Sequence, residues 1–379
     1  MDITLLLRLM AQKNASDLFF SVGAPPHMKI EGVSTPMGQA PMPPGSIKEI
    51  AYKLMDAEQI REFEREWEFN FAYSLQEVGR FRVNVFKQRG EVGMVMRHIK
   101  SQIPPFESLN LPSKVSDLVM ARSGLVLICG PTGSGKSTTL AAMIDFRNRR
   151  ETGHILTIED PIEFLHEHRM SIIDQREIGV DTRTFHHALK NAMREAPDVI
   201  LIGEIRDTEA MQYALSYAQT GHLVLATIHG NNSKQVLERV RNFFEPESRG
   251  HVMKELSSVL RGIVSQRLVR GIDGKRVCAT EILLMAPEIG ETIQRGFLED
   301  LHKTIEKNYN DGMMTFDQSL FNLYQTGSIT KEIALHNAES RTDLSLRMRL
   351  GTASSSAPVD ERPRAAQSAD AQPRFDTEL

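Results

Sequence analysis

The chain has 379 residues, of which 41% are hydrophobic and 25% are charged, the balance of a soluble globular protein long enough for two domains. Its formal net charge of −4, from 45 basic and 49 acidic side chains, counts against a protein that grips nucleic acid through its phosphates. The two cysteines, Cys129 and Cys278, are too few for a four-cysteine zinc site, and both lie in apolar runs that predict small core residues.

The N-terminal segment, residues 1–12, predicts a short amphipathic helix. Asp2 and Arg8 flank and interrupt its apolar stretch, so it lacks the pattern of a secretory signal peptide. No stretch of the sequence approaches the roughly 20 apolar residues that span a bilayer. We therefore expect an intracellular protein that contacts a membrane only through partners.

Residues 1–100 mix short strand and helix patterns, which predicts a small α+β domain. The predicted strands are 17–20, 27–30, 69–75 and 79–87, and the predicted helices are 46–55 and 57–67. In the last of these strands, apolar residues alternate with polar ones, so that Arg80 and Arg82 share its polar face. Arg97 ends the following strand. The Pro/Gly-rich stretch 33–45 predicts a loop.

Three prolines in residues 101–113 predict a linker to a second domain, 114–351. Apolar runs then alternate with helices, and the runs are 125–129, 154–159, 199–203 and 223–227. They are rich in Val, Ile and Leu and barely alternate, which predicts parallel strands covered on both faces, with a ligand at their carboxyl ends. Beyond residue 250 the pattern predicts mostly helix and one strand at 277–284. Residues 352–379 predict a disordered tail.

Residues 130–137, GPTGSGKS, follow a predicted strand and open a predicted helix, the sequence and context of a nucleotide-binding P-loop. The glycines let several backbone N–H groups point at phosphate, while Lys136 reaches the outer phosphates and Ser137 offers a hydroxyl to Mg²⁺. The predicted ATP-binding residues are Gly130, Pro131, Thr132, Gly133, Ser134, Gly135, Lys136, Ser137 and Thr138.

Two acidic segments supply candidates for the chemistry of hydrolysis. In DVILIGEIRD, 198–207, Glu204 follows a predicted strand, where a carboxylate can hold Mg²⁺ through its water shell. In TIEDPIEF, 157–164, three carboxylates cluster after another strand. We predict that Glu163 orients the attacking water and takes its proton, but the sequence leaves open which of Glu163 and Glu204 is the base. The predicted metal ligands are Ser137 and Glu204.

Two histidines, His222 and His229, flank the apolar run in TGHLVLATIHG, 220–230. A lone histidine is often structural, but two at the ends of one strand in this kind of domain can sense or hydrogen-bond phosphate. Hydrolysis also needs positive charge on the transition state, which an arginine from another domain or subunit can supply. By themselves, the arginines of the first domain are better explained as a solvated strand face.

In chain order, GPTGSGKS, TIEDPIEF, DVILIGEIRD and TGHLVLATIHG resemble the Walker A, Asp box, Walker B and His box of the secretion ATPase superfamily. GRFRVNVF and Arg97 resemble the N-terminal domain of its pilus retraction motors, and the likeness covers about residues 1–345. The resemblance implies an α/β fold, with a RecA-like P-loop NTPase core and a smaller α+β, PAS-like N-terminal domain. It also implies that Arg82 and Arg97 face the nucleotide.

The same resemblance implies a Mg²⁺-dependent ATPase that works as a homohexamer at the cytoplasmic face of the inner membrane. Its expected partners are the inner-membrane platform protein of the type IV pilus and a PilT-type retraction ATPase, and its expected role is pilus retraction in twitching motility. The absence of a four-cysteine element favours this branch over the extension ATPases. Because 292–300, TIQRGFLED, matches the AIRxLIRE-like helix of PilT-type motors poorly, the chain resembles the PilU-type accessory branch most.

Two alternatives stay open. The chain could be chiefly a structural partner that binds ATP and stacks on a PilT-type ring, with its own turnover dispensable. A DNA-transfer ATPase is less favoured, because the acidic balance of the chain argues against a nucleic-acid partner.

Overall fold

A computed structural model describes residues 3–30, 32–99, 102–296 and 298–350. These residues form two sheets, each with its own apolar core. The predicted fold class, a RecA-like core with a smaller α+β N-terminal domain, is confirmed. None of the helices in these ranges combines the length and the apolar character needed to cross a bilayer. The predicted tail lies outside the described residues.

The N-terminal domain is an antiparallel sheet with helices packed on its apolar face. Its described strands are β1 (Asp17–Phe20), β2 (His27–Ile30), β3 (Val33–Pro36), β4 (Glu68–Leu75), β5 (Gly79–Gln88) and β6 (Glu91–Ile99), and its helices are α1 (Ile3–Gln12), α2 (Ser46–Leu54) and α3 (Ala57–Glu66). Within the described residues the strand order is β3-β2-β1-β6-β5-β4. The prediction of a loop at 33–45 is wrong for β3, because this edge strand is exposed throughout and has no alternation of burial to reveal it.

The second domain is built on a mainly parallel sheet. Its described strands are β7 (Gly124–Cys129), β8 (Gly153–Glu159), β9 (Ser171–Glu177), β10 (Val199–Ile205), β11 (Leu223–Ile228), β12 (Leu260–Arg270) and β13 (Arg276–Leu284). Their order is β13-β12-β7-β11-β10-β8-β9, and only β13 runs antiparallel to its neighbour among the described strands. The central strand β7 is buried at every position and ends in Cys129, a core residue as predicted, whereas Cys278 is only half-buried.

Helices cover both faces of this sheet. They are α4 (Lys114–Val119), α5 (Lys136–Asn148), α6 (Phe185–Ala192), α7 (Thr208–Gln219), α8 (Ser233–Asn242), α9 (Pro246–Val259), α10 (Pro287–Arg295), α11 (Leu301–Lys307), α12 (Phe316–Gln325), α13 (Lys331–Asn337) and α14 (Arg341–Leu350). Alternate residues of β7 enter two separate apolar cores, one shared with α4 and α5 and the other with α6 to α10. This double coverage is the reason that the predicted strands of this domain read as uniform apolar runs.

The sequence pattern missed two strands of the second sheet. Strand β9 is an edge strand, and its Ile172 is exposed. Strand β12 lies beside β7 but buries polar side chains, among them Ser265 and Gln266, so its composition does not read as a core strand. The prediction that the chain beyond residue 250 contains one strand is therefore wrong, because β12 forms the partner of β13.

The segment between the two sheets is docked on the second domain. It contains a 3₁₀ helix, Phe106–Leu109, and the ring of Phe106 lies 5.2 Å from that of Phe146 on α5. A second contact joins the domains directly, because Arg80 Nη2 on β5 lies 3.2 Å from Glu177 Oε2 at the end of β9, with both side chains largely buried. The domain boundaries drawn from the sequence stay predictions.

Candidate functional site

The P-loop, residues 130–137, connects the end of β7 to the start of α5. Its glycines all have positive φ, 147° at Gly130, 77° at Gly133 and 93° at Gly135, in a region that favours glycine. At Gly130 a Cβ would also lie 2.3 Å from the carbonyl oxygen of Gln266 and 2.5 Å from Ser134 Oγ. Strand β12 therefore packs directly against the first turn of the loop, and only glycine fits at position 130.

Lys136 lies inside the curve of the P-loop. Its Nζ donates to the carbonyl oxygens of Gly130, at 2.8 Å, and Pro131, at 3.1 Å. Burial lowers the pKa of the Lys136 ammonium from its ordinary value, and the negative charge of Glu204 opposes this shift. Since α5 begins at Lys136, the positive end of the helix dipole adds to the same field. The arrangement is suited to hold a phosphate group.

A cleft opens beside the P-loop at the carboxyl edge of the sheet. The predicted site residues among those that line it are Lys136, Ser137, Glu163 and Glu204. These residues come from three different segments, and they meet because parallel strands end at one edge of the sheet. The described residues that line the cleft all belong to the second domain.

Glu204 is held in place by the side chains of Arg206 and His229. It lies near the end of β10, and only 17% of its side chain is exposed. Arg206 Nε lies 2.5 Å from its Oε2, and His229 Nε2 lies 2.7 Å from its Oε1. Arg206 was not predicted as a site residue, although its position two residues after Glu204 in an extended segment places both side chains on one face.

Glu163 differs from Glu204 in having an open carboxylate. It lies in the segment after β8, lines the same cleft and is exposed. Among the described residues, no side chain or backbone group forms a hydrogen bond or ion pair with its carboxylate. Of the two predicted acids, Glu163 is thus the one whose oxygens are free to contact water.

Glu159, the last residue of β8, also lines the cleft, although no specific role was predicted for it. Burial raises the pKa of its carboxyl to about 7, while the hydroxyl of Thr157, 2.7 Å away, and the amide of Gln175, 3.4 Å away, favour the charged form. The carboxyl of Glu159 therefore changes its charge near neutral pH, and it lies four residues before Glu163 in the sequence.

Replacing Glu159 with glutamine is expected to stabilise the protein above pH 7 relative to the wild type. The unfolded carboxyl has an ordinary pKa near 4.5, so between pH 4.5 and about 7 the unfolded state loses its proton first, and the wild type loses stability as pH rises. We expect the difference in free energy of unfolding to grow by about 1–2 kcal/mol between pH 5 and pH 8. Thermal midpoints of both proteins across this range measure it.

The matched control for this experiment is Glu167→Gln, which changes an exposed carboxylate of the same segment. Its difference from the wild type should not depend on pH in this range. A Glu159→Gln difference that is equally flat between pH 5 and pH 8 would show that the carboxyl of Glu159 is charged throughout.

The structure separates the two predicted histidines. His229 follows β11 at the carboxyl edge, contacts Glu204 and borders a second cavity beside Gly130 and Pro131. His222 precedes β11, and its Nδ1 lies 3.1 Å from both Thr220 Oγ1 and the carbonyl oxygen of Tyr217. Because β11 runs between them, His222 lies at the opposite edge of the sheet and is not brought to the P-loop.

The arginines of the first domain do not line the cleft of their own chain. Arg82 and Arg97 are cross-strand partners on β5 and β6, and Arg97 Nε donates to Asp17 Oδ1 at 2.8 Å. Arg80, a less distinctive match, forms the contact with Glu177, whose pKa is raised by burial and lowered in part by the charges of Arg80 and Arg82. The approach of Arg82 and Arg97 to a nucleotide, expected in a ring of subunits, stays a prediction.

The P-loop at the end of β7, with carboxylates at or after the ends of β8 and β10 in the same sheet, defines a nucleotide-binding P-loop protein. Residues 27–326 match the family described as type II/IV secretion system proteins, and the chain belongs to this family. The predicted family and the predicted class of enzyme, an ATPase, are confirmed by the relatives of the chain.

Two relatives from Pseudomonas aeruginosa match nearly the whole chain. The chain is 47% identical to the type IV pilus ATPase PilU over 355 residues, 93% of each protein. It is 40% identical to the type IV pilus retraction ATPase PilT over 339 residues, 89% of this chain and 98% of PilT. The crystal structure of the pilus retraction motor PilT with bound ADP is similar, with a TM-score of 0.85 and 38% identity over 91% of this chain and 99% of that one.

Proposed function

We propose that the chain is a Mg²⁺-dependent ATPase subunit of a type IV pilus machine, which powers or assists pilus retraction. The observation that carries the proposal is the cleft that places Lys136, Ser137, Glu163 and Glu204 around one space, in a fold similar to that of PilT with bound ADP. The 47% identity to PilU supports a place in the accessory branch of these ATPases.

The P-loop is the proposed site for the phosphates of ATP. A loop of this kind binds phosphate through its backbone N–H groups, and Lys136 adds a charge that its two carbonyl contacts, Gly130 and Pro131, hold in place. A triphosphate at this position would exchange those contacts for contacts to its own oxygens, which are stronger because they are charged.

The donor groups in the cleft fit Mg²⁺. Ser137 and Glu204 offer hard oxygen ligands, and no cluster of three or more His, Cys, Asp or Glu side chains suited to a metal occurs in the described part of the chain. Such a cation takes its other ligands from phosphate and water. Since both oxygens of Glu204 already contact Arg206 and His229, we propose that Glu204 holds Mg²⁺ through a water. When bound, Mg²⁺ neutralises phosphate charge.

Glu163 is the proposed base. Its carboxylate lines the cleft without a partner among the described residues, so it can orient a water and take its proton. His229, held by Glu204, borders the cavity beside Gly130 and is proposed to contact the terminal phosphate. We assign no step to His222, whose predicted role finds no support in its position.

The assembly proposed for the chain is a homohexamer at the cytoplasmic face of the inner membrane, in contact with a PilT-type ATPase and a platform protein. In such a ring Arg82 and Arg97 would contact a nucleotide bound by a neighbouring chain. They could also contact the nucleotide of their own chain after its two domains have moved relative to each other. The guanidinium of Arg97 is itself exposed, although it donates to the buried carboxylate of Asp17, so its outer N–H groups are accessible to a ligand from another chain.

The proposed role is tested by pilus retraction in cells that lack this chain, with the PilT-type motor present or absent. Wild-type protein and the control variant Lys114→Ala, which changes an exposed lysine of α4, should restore retraction. Lys136→Ala should not, because it loses hydrolysis, and Glu204→Gln should restore less retraction than the wild type, because its turnover is lowered.

One observation favours the alternative of a structural ATP-binding partner. Helix α10 ends at Arg295 and Gly296 has φ 73°, so the stretch 292–300 is not one continuous helix. If Lys136→Ala and Glu204→Gln both restored retraction fully while a PilT-type motor was present, the alternative would replace the motor role.

A further inference from the structure

A carboxylate is buried near the P-loop without a cation beside it. Glu281 lies on β13 with only 3% of its surface exposed, and no Lys, Arg or His side chain in the described residues forms an ion pair with it. Burial raises its pKa, while the hydrogen bond from the backbone N–H of Ser233 lowers it. An uncompensated charge in a core is costly, so the fold must give this carboxylate other partners.

Those partners form a chain of hydrogen bonds across two strands. The backbone N–H of Ser233 donates to Glu281 Oε1 at 2.6 Å, and Ser265 Oγ on β12 donates to the same oxygen at 3.2 Å. Cys129 Sγ in turn donates to Ser265 Oγ at 3.1 Å. The contacts therefore run from the first residue of α8 to the last residue of β7.

Each end of this chain supports one of the two loops at the site. Cys129 immediately precedes the P-loop, and Ser233 immediately follows the segment 229–232, which we call the His229 loop. Both loops border one cavity, lined by Gly130 and Pro131 on one side and by His229 on the other. The separation of the loops across this cavity decides whether His229 can reach a phosphate held by the P-loop.

We infer that Glu281 is a positioning residue that holds the His229 loop at a set distance from the P-loop. The inference rests on the proposed ATPase function. The carboxylate accepts a hydrogen bond from the N-terminal turn of α8 and is attracted by the dipole of that helix. Loss of the side chain removes the hydrogen bond that fixes the end of the His229 loop at Ser233 and lets the loop shift, whereas the contacts of Lys136 inside the P-loop do not involve Glu281 and remain.

The test compares Glu281→Ala, His229→Ala and the double variant in the full-length chain with Mg²⁺. We expect Glu281→Ala to lower kcat about 10- to 100-fold, as a displacement of about 1 Å does, with KM for ATP and Kd for ADP within about threefold of wild type. Because Glu281 acts through His229, the double variant should be no slower than His229→Ala alone. The control is Asp145→Asn, a buried carboxylate of α5 paired with Arg149, which should keep the wild-type kcat.

Three results would overturn the inference: an unchanged kcat in Glu281→Ala, losses that multiply in the double variant, or a loss of ADP affinity that matches the loss of kcat. If Glu281→Ala does not fold, Glu281→Gln goes through the same cycle. It keeps an acceptor oxygen but not the charge, so we expect a non-additive loss of about three- to tenfold. An inactive wild type would contradict the proposed function, whereas an active wild type with an unaffected Glu281 variant contradicts this inference alone.

Discussion

Lys136→Ala is expected to abolish ATP hydrolysis, with kcat falling on the order of 10²- to 10³-fold or more. The ammonium group lies within the P-loop, where partial burial makes its charge more effective than in water. Arg206 also lines the cleft, but it is paired with Glu204 and Asp160. Alanine leaves the backbone N–H groups in place but removes the charge that opposes the developing negative charge of the phosphates. Phosphate release at saturating ATP and Mg²⁺ measures the effect.

Lys114→Ala is the matched control, because it removes an exposed lysine that pairs with Asp117 at 3.1 Å on α4. It should keep the wild-type kcat. The thermal midpoint of Lys136→Ala should stay within a few degrees of the wild type, which separates lost chemistry from lost folding. Wild-type turnover in Lys136→Ala would remove the P-loop from the mechanism.

Glu163→Gln is expected to lower kcat about 10²- to 10⁴-fold while nucleotide affinity stays near that of the wild type. Glutamine keeps the size of the side chain but cannot take a proton from water. Glu204→Gln should act differently, because Glu204 is held by Arg206 and His229 and is proposed to bind Mg²⁺ through water. For that variant we expect the Mg²⁺ concentration at half-maximal rate to rise about tenfold or more, with partial recovery at high Mg²⁺.

The comparison of these two variants decides a question that the sequence left open. Both are measured as kcat against Mg²⁺ concentration, with Glu167→Gln, an exposed carboxylate paired with Arg169, as the control that should change neither value. If instead Glu204→Gln loses its rate at every Mg²⁺ concentration and Glu163→Gln remains active, the base is Glu204 and the roles proposed here are reversed.

The sequence predicted well the strands whose burial leaves a simple pattern in the residues, whether burial alternates, as in β5, or covers both faces, as in β7. Strands β7, β8, β10 and β11 were placed to within about two residues, because burial on both faces leaves an uninterrupted apolar run. The missed strands β9 and β12 have mixed surroundings. An edge strand such as β9 exposes apolar residues, and β12 buries polar ones that hydrogen-bond beside the P-loop, so neither follows a periodic pattern.

Local sequence was enough to identify the candidate site, but it did not show how the residues of the site lie relative to one another. The sequence named both His222 and His229, and it left Glu163 and Glu204 unresolved as candidate bases. The structure distinguishes the members of each pair: strand direction sends His222 to the far edge of the sheet, and the contacts with Arg206 and His229 occupy Glu204 while Glu163 remains open.

By itself the sequence determined the P-loop, because this motif is local. It consists of a few consecutive residues, with glycines that adopt positive φ and a lysine at the start of a helix. It also determined the mainly parallel sheet, through apolar runs of strand length. Only the tertiary structure decided that Glu281 would reach Ser233, 48 residues earlier in the chain, and that Arg80 would meet Glu177. Such contacts depend on how strands and helices pack. The partners of a buried charged group are the groups that this packing brings within hydrogen-bonding distance.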